Sequence, residues 1–312
     1  PYSLSALQRF ASCPYQFLLS TIYRLEPREE PEPVVRMDPL TRGSLFHKVQ
    51  AEFYRTMQAA GALPVTSRGL PQAAQTIHDV LVRVAAEYEE RLAPAIERVW
   101  RDEIDELRRD LGIWVQKLAD DNAWRPEYFE FSFGLGAGGP RPLDIAEGRD
   151  PRSVPDPVVI DGGFVLRGSV DLIERAADSR ALRVTDHKTG RNRSNPDLIV
   201  GRGSMLQPVL YSVAVEKCLG QKVEIGRLFY CTTVGGYAEH PIPINDYTRT
   251  QGLQVLQIID RAVEQGFLAA APDEKACDWC DFRPVCGPRE EERVALKAQD
   301  RLADLKALRS MR

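Results

Sequence analysis

The 312-residue chain is 43% hydrophobic and carries 41 Lys and Arg against 45 Asp and Glu, a formal net charge of −4. That composition fits a globular protein with a sizeable core, and no run approaches the roughly 18 consecutive apolar residues of a membrane span. The acidic balance excludes a protein that coats nucleic acid through a broad basic surface, although a local basic excess between Arg175 and Arg202 leaves room for a confined anion contact. The opening PYSLSALQRF lacks the basic and apolar stretches of a signal peptide, so a cytoplasmic location without membrane contact is expected.

Residues 3–25 read as a helix, with Ser3 or Ser5 as cap and Leu4, Leu7, Phe10, Phe17 and Leu18 at helical spacing, interrupted at Cys13-Pro14. A linker, EPREEPEPVV, follows. TRGSLFHKVQAEFYRTM is an amphipathic helix with Leu45, Phe46, Val49 and Phe53 on one side and His47 near its beginning. From Pro71 to Trp124 the Ala-, Glu-, Arg- and Leu-rich sequence predicts a helical insertion, whose charge runs, such as RDEIDELRRDL, are expected to be solvated. PEYFEFSFGL alternates as a strand, with Phe129, Phe131 and Phe133 on one face and Tyr128, Glu130 and Ser132 on the other. A Gly- and Pro-rich loop follows it.

Residues 157–190 predict a β-meander: PVVID, a turn at Gly162-Gly163, FVLRGSVDLIER, a turn at Ala177-Asp178-Ser179, then ALRVTDHKTG. Beyond it come a helix near Met205–Leu219, a strand VEIGRLFYCTTV, a helix near Thr248–Gln265, the stretch ACDWCDFRPVCGPRE and a charged helix. The order of elements predicts one α/β domain over 1–312 with a central mixed sheet flanked by helices. Its parts would be N-terminal helices (1–60), a helical insertion (67–125), a core sheet (126–235), and C-terminal helices with the cysteines (236–312).

A hairpin turning at Asp178-Ser179 sets Asp171 opposite Asp186, with Cβ atoms about 4.5–5.5 Å apart. Two carboxylates that close repel unless a cation lies between them, and carboxylates suit Mg²⁺ or Mn²⁺. Lys188, two residues beyond Asp186, projects on the same face. Such a group can bind a phosphate oxygen and stabilise the charge that develops in phosphodiester displacement. A solvated ion-pair ladder explains the D-x-K spacing equally well. Gln207 and Tyr211 share a helix face, and Pro208 is tolerable in a first turn.

Cys277, Cys280 and Cys286 form C-x₂-C-x₅-C, and Cys13 is the best fourth ligand for a metal that clustered thiols of an intracellular chain would favour. Cys218 and Cys231 have no partner spacing and read as small buried hydrophobes.

The order His47, GSVD ending at Asp171, DHK at Asp186–Lys188 and QPVLY with Gln207 and Tyr211 resembles the PD-(D/E)XK nuclease superfamily, in its RecB-like branch, over most of the chain. The resemblance implies a restriction-endonuclease-like core. It implies that His47, Asp171 and Asp186 are ligands of Mg²⁺ or Mn²⁺, that Lys188 is catalytic, and that Gln207 and Tyr211 lie beside the site. The His187 side chain would be structural, with its carbonyl facing the metal, and Glu130 is a secondary candidate where family members carry an acid. Cys13 in its CPY context, followed by C-x₂-C-x₅-C, resembles the iron–sulfur clasp of AddB-type nuclease domains. That implies a 4Fe–4S cluster on Cys13, Cys277, Cys280 and Cys286, with structural Zn²⁺ as the rival occupant. The implied activity is metal-dependent hydrolysis of single-stranded DNA or DNA ends, exonucleolytic before endonucleolytic, in repair or recombination. A helicase domain or subunit would accompany it, since no G-x-x-x-x-G-K-[ST] loop occurs here. The alternative is a non-cleaving DNA-end-binding or helicase-partner module of the same fold.

Overall fold

Among the described residues, which are 1–27, 33–136 and 148–312 of the computed structural model, seven strands form one mixed sheet that separates two helical layers. Residues 28–32 of the EPREEPEPVV linker and 137–147 of the Gly/Pro-rich loop after Phe133 lie outside those residues. The chain opens with β1 (Tyr2–Ser3) and α1 (Leu4–Ser12), capped by the Ser3 hydroxyl, which accepts the Ala6 amide at 3.3 Å. Helix α1 stops at Cys13, which is extended at φ −162° and ψ 118°. The reason is Pro14, which has no N–H and excludes its predecessor from the helical region. The stretch 3–25 is therefore α1, a short α2 (Pro14–Phe17) and a π-helical turn at Leu18–Ile22 instead of one helix.

Helix α3 (Pro39–Ala59) starts with proline at its first position and Asp38 accepting the Leu40 and Thr41 amides at 2.8 and 3.0 Å. With α4 (Leu70–Leu92) and α5 (Glu97–Asp120) it buries Phe46, Phe53, Tyr54, Tyr88 and Trp114 against one face of the sheet, where they meet Phe129, Leu172 and Phe229. Each such side chain contributes roughly 1.5–3 kcal/mol by leaving water. The helical insertion is thus a wall of the core. Nor is its charge run wholly solvated, because Glu103 and Asp110 are buried. Glu103 accepts the Met37 amide at 3.1 Å, and Asp110 accepts the Thr233 amide at 2.9 Å and hydroxyl at 2.7 Å. Buried carboxylates need such donors, and these come from segments that helical periodicity does not see.

The remaining strands are β2 (Trp124–Phe133), β3 (Val158–Val159), β4 (Val165–Ala176), β5 (Leu182–Lys188), β6 (Val223–Tyr230) and β7 (Glu239–Pro243). β4 is the hub: its start pairs with β1 and β3, and its remainder pairs antiparallel with β2 and β5. Pairing of Leu172 with Thr185, Ile173 with Val184 and Glu174 with Arg183 is the expected hairpin register, under which Asp171 and Asp186 occupy the next rung. β5 runs parallel to β6 through α6 (Gln207–Leu219), and β7 closes the edge antiparallel to β6. Gly226 on β6 admits α6 closely, since a Cβ there would come within 2.0 Å of the Pro208 carbonyl oxygen. Helices α6, α7 (Asp246–Glu264), α10 (Ala303–Ser310, after the short α8, Arg283–Cys286, and α9, Glu290–Arg293) and α1 cover the second face through Leu7, Phe10, Leu210, Val255 and Leu308. β1 and β7 escape sequence reading: β1 has two residues, and the EHPIP of β7 carries two prolines, which suit only an edge.

One expected strand pattern fails. Phe131 and Phe133 face α1 and α6, whereas Phe129 faces the α3–α5 layer. Glu130 between them has φ +54°, a left-handed residue that turns the strand and breaks its alternation. On β4, Val170 and Leu172 likewise face opposite layers. Both strands change phase at the rung that would join Glu130 to Asp171.

Candidate active site

Four elements bring their side chains into one cleft of about 730 Å³: α3 gives His47, β2 Glu130, β4 Asp171, and the end of β5 Asp186 and Lys188. Helix α3 passes the end of β5 at Gly43, where a Cβ would make an ordinary 3.4 Å contact with the Thr189 hydroxyl. One ligand atom from each of His47, Glu130 and Asp171 lies within 4.8 Å of the others. His47 Nδ1 is 3.4 Å from Asp171 Oδ2, which also accepts the His187 backbone amide at 2.6 Å. The Ser169 hydroxyl donates to Glu130 Oε2 at 3.4 Å. Lys188 Nζ pairs with Asp186 Oδ2 at 2.5 Å. Glu130, secondary in the sequence reading, thus completes the tight group with His47 and Asp171, while Asp186 stands beside it, engaged by the lysine.

Charge is distributed unevenly over these groups. Burial opposes ionisation of Asp171, but the His47 ring and the His187 amide prevail and hold its carboxyl at about 2. Burial and the neighbouring Asp171 charge push Glu130 up to about 8. Burial works against a charged His47, yet Asp171, then Glu130 and Asp186, carry it up to about 9. For Asp186 burial outweighs the Lys188 ammonium, and Asp171 adds to it, so its pKa is raised. Three acids that cannot all ionise together form a site that a divalent cation would relieve, displacing protons as it binds.

His187 points to the opposite face, 3% exposed, with ring centroids 6.0 Å from both Trp114 and Phe229, and burial drives its pKa down to about 3. Gln207 does not line the cleft: it forms a reciprocal amide pair with Gln8 of α1 at 2.9 and 3.3 Å. Tyr211 lies behind the acids, edge-on to Phe133 at 6.1 Å and so close to Gly168 that a Cβ there would meet its ring at 2.7 Å. Burial and then the charges of Asp186, Asp171 and Glu130 raise its pKa.

Several residues of the site went unread in the sequence. Arg55 Nη2 donates to the Phe129 carbonyl at 3.3 Å and to that of Gly148, and Asp150 accepts the Phe129 amide at 3.2 Å, so both hold the strand at Glu130. Behind β5, Arg183 grips Glu174 through two bonds of 2.6 and 2.7 Å. Arg227 and the Thr185 hydroxyl donate to the same carboxylate at 3.0 and 2.8 Å. A signal existed for this cluster: the register that opposes Asp171 and Asp186 also opposes Glu174 and Arg183.

Cys13, Cys277, Cys280 and Cys286 are all free and line one cavity with Pro272 and Phe282. Among the described residues their sulfurs do not form a group as tight as that of His47, Glu130 and Asp171. The same junction is tied by Arg309, which donates to the Ala11 carbonyl at 2.9 Å, to Ser12 at 2.9 Å and to Ala271 at 2.7 Å. Cys231 is fully buried, and Cys218 packs against the apolar core, its thiol pushed up to about 11 by burial.

A family model described as the PD-(D/E)XK nuclease superfamily matches residues 1–287. A search of curated proteins found no match. Among solved structures, the crystal structure of SSO0001 is similar at 20% identity over 67% of this chain and 81% of that chain, with a TM-score of 0.29.

Proposed function

Because this chain belongs to the PD-(D/E)XK nuclease superfamily, whose members imply metal-dependent nuclease chemistry, we propose that it hydrolyses DNA phosphodiesters, acting on single strands or DNA ends as an exonuclease. The observation that carries this reading is the convergence of His47, Glu130 and Asp171 beside the Asp186–Lys188 pair in one open cleft. The two carboxylates of the donor set suit Mg²⁺ or Mn²⁺, its imidazole nitrogen is accepted more readily by Mn²⁺, and Asp186 lines the same cleft as a further candidate. Held by His47, Glu130 and Asp171, a divalent ion would supply Lewis acidity towards a phosphoryl oxygen and ease deprotonation of water.

The chain's own groups do the rest. Lys188, kept charged by Asp186, donates to a non-bridging oxygen and offsets the negative charge that grows on the phosphate during displacement. The His187 amide orients the Asp171 carboxylate, and Tyr211 fills the space behind the acids. Gln207 links α6 to α1 through Gln8, a positioning role. A helicase domain or partner and a place in repair or recombination complete the reading, supported by the RecB-like order of motifs.

For the cysteines we propose a structural 4Fe–4S cluster on Cys13, Cys277, Cys280 and Cys286. Its support is the C-x₂-C-x₅-C spacing and the one cavity that these residues share with Cys13.

The direct test is cleavage of end-labelled single-stranded DNA with Mg²⁺ or Mn²⁺ and with chelator. Wild type should cut only with metal, and Asp186→Ala and Lys188→Ala should each lose on the order of 100-fold or more. A wild type that binds DNA without cutting it would establish the non-cleaving module instead.

A further inference from the structure

Among the described residues, four basic side chains besides the buried His187 line the cleft: His47, Lys48, Arg55 and Lys188. Three of them are engaged by the site itself. His47 faces Asp171, Lys188 faces Asp186, and Arg55 donates to the Phe129 and Gly148 carbonyls that shape the turn at Glu130. Lys48 differs. Its ammonium sits 2.6 Å from Glu87, a carboxylate on α4 that is 43% exposed and takes no part in the metal group.

Glu87 would not be stranded if Lys48 left it. Arg83, one turn earlier on α4, lies 3.3 Å from the same carboxylate and also pairs with Glu52. Exchange of partners therefore leaves the exposed Glu87 with a cation, which it shares with Glu52, whereas releasing His47, Arg55 or Lys188 would dismantle the site. An exposed carboxylate is also a weak competitor for an ammonium compared with a phosphate oxygen brought close by a bound strand.

Resting on the DNA reading above, we propose that Lys48 is the backbone-phosphate contact of this cleft, held by Glu87 in the free protein and transferred to a phosphate flanking the scissile one when a strand enters. Lys48 follows His47 on α3, so this contact extends the site along the strand from the metal group. The α4 helix then has a function in the cleft besides walling the core: its Glu87 keeps the lysine in place and weakens binding of polyanions.

The test is binding of a fluorescently labelled single-stranded oligonucleotide across a salt series with Ca²⁺ in place of Mg²⁺, product formation being checked in the same samples. Loss of one phosphate contact should make the slope of log Kobs against log salt shallower by about 0.7 in Lys48→Met, while Lys48→Arg keeps the wild-type slope. Glu87→Gln should tighten binding by about 2- to 5-fold, the factor an exposed ion pair commands. That gain should vanish when Lys48→Met is combined with it. An unchanged slope in Lys48→Met, in a protein that binds and cuts DNA, overturns the Lys48 assignment alone. A gain from Glu87→Gln that persists without Lys48 overturns the exchange. A wild type that neither binds nor cuts DNA overturns the functional reading itself, and the assignment with it.

Discussion

At Glu130 the backbone adopts φ +54°, a left-handed conformation that costs a residue with a side chain roughly 1–2 kcal/mol. The surroundings hold it there. The Asp150 amide donates to the Glu130 carbonyl at 3.1 Å, the Asp150 carboxylate accepts the Phe129 amide, and Arg55 takes the Phe129 carbonyl. The result is a half-buried carboxyl aimed at His47 and Asp171 where regular alternation would have sent it elsewhere. Glu130→Gln should therefore lower Mn²⁺ affinity on the order of 10–100-fold, read by calorimetric titration, with a metal-free melting temperature that does not fall, since the neutral amide avoids the cost of ionising this carboxyl. Unchanged affinity would remove Glu130 from the ligand set. The acid itself and its strand were legible in the sequence, but the left-handed turn was not, because its cause lies in Arg55 and Asp150, which only folding brings near.

Strand β5 is charged on both faces, and the two faces do different things. Asp186 and Lys188 open into the cleft, while Arg183 and Thr185 join Glu174 and Arg227 in a buried cluster that fixes the strand from behind. Burial opposes the Glu174 charge, but Arg227 and Arg183 hold its carboxyl at about 2, below the ordinary 4.5. Because the folded value is depressed, the stabilisation is fully present above pH 4.5 and is lost as pH falls towards 2. It amounts to about 3 kcal/mol. Glu174→Gln leaves Arg183 with Asp121 and Arg227 with Glu239 but removes the carboxylate that joins them, and should cost about 3 kcal/mol at pH 7 in urea denaturation. Its deficit against wild type should shrink as the pH is lowered through that window. A pH-independent deficit would mean that packing, not charge, holds β5.

At the scale of the molecule, the sheet is held between an α3–α5 layer that delivers His47 and an α1–α6–α7–α10 layer that carries Tyr211. No described helix is long and apolar enough to cross a membrane. The proposed cluster would join α1 to the cysteine-rich segment at a junction that Arg309 already ties. Cys280→Ser should therefore lower stability by about 2–5 kcal/mol without unfolding the sheet, and protein purified without air should contain iron and acid-labile sulfide. Zinc in place of iron would establish the rival occupant. The sequence by itself determined the α/β order, the hairpin register that brings Asp171 to Asp186 and the C-x₂-C-x₅-C cluster, since these rest on local periodicity, turn chemistry and spacing, while His47 and Lys188 stood out through the resemblance of the motif order. Only the tertiary structure decided that Glu130 joins His47 and Asp171, that Gln207 turns to Gln8, and that Glu87 holds Lys48. Those outcomes depend on which distant side chains share a buried space and must satisfy one another's charge, a constraint that no local pattern carries.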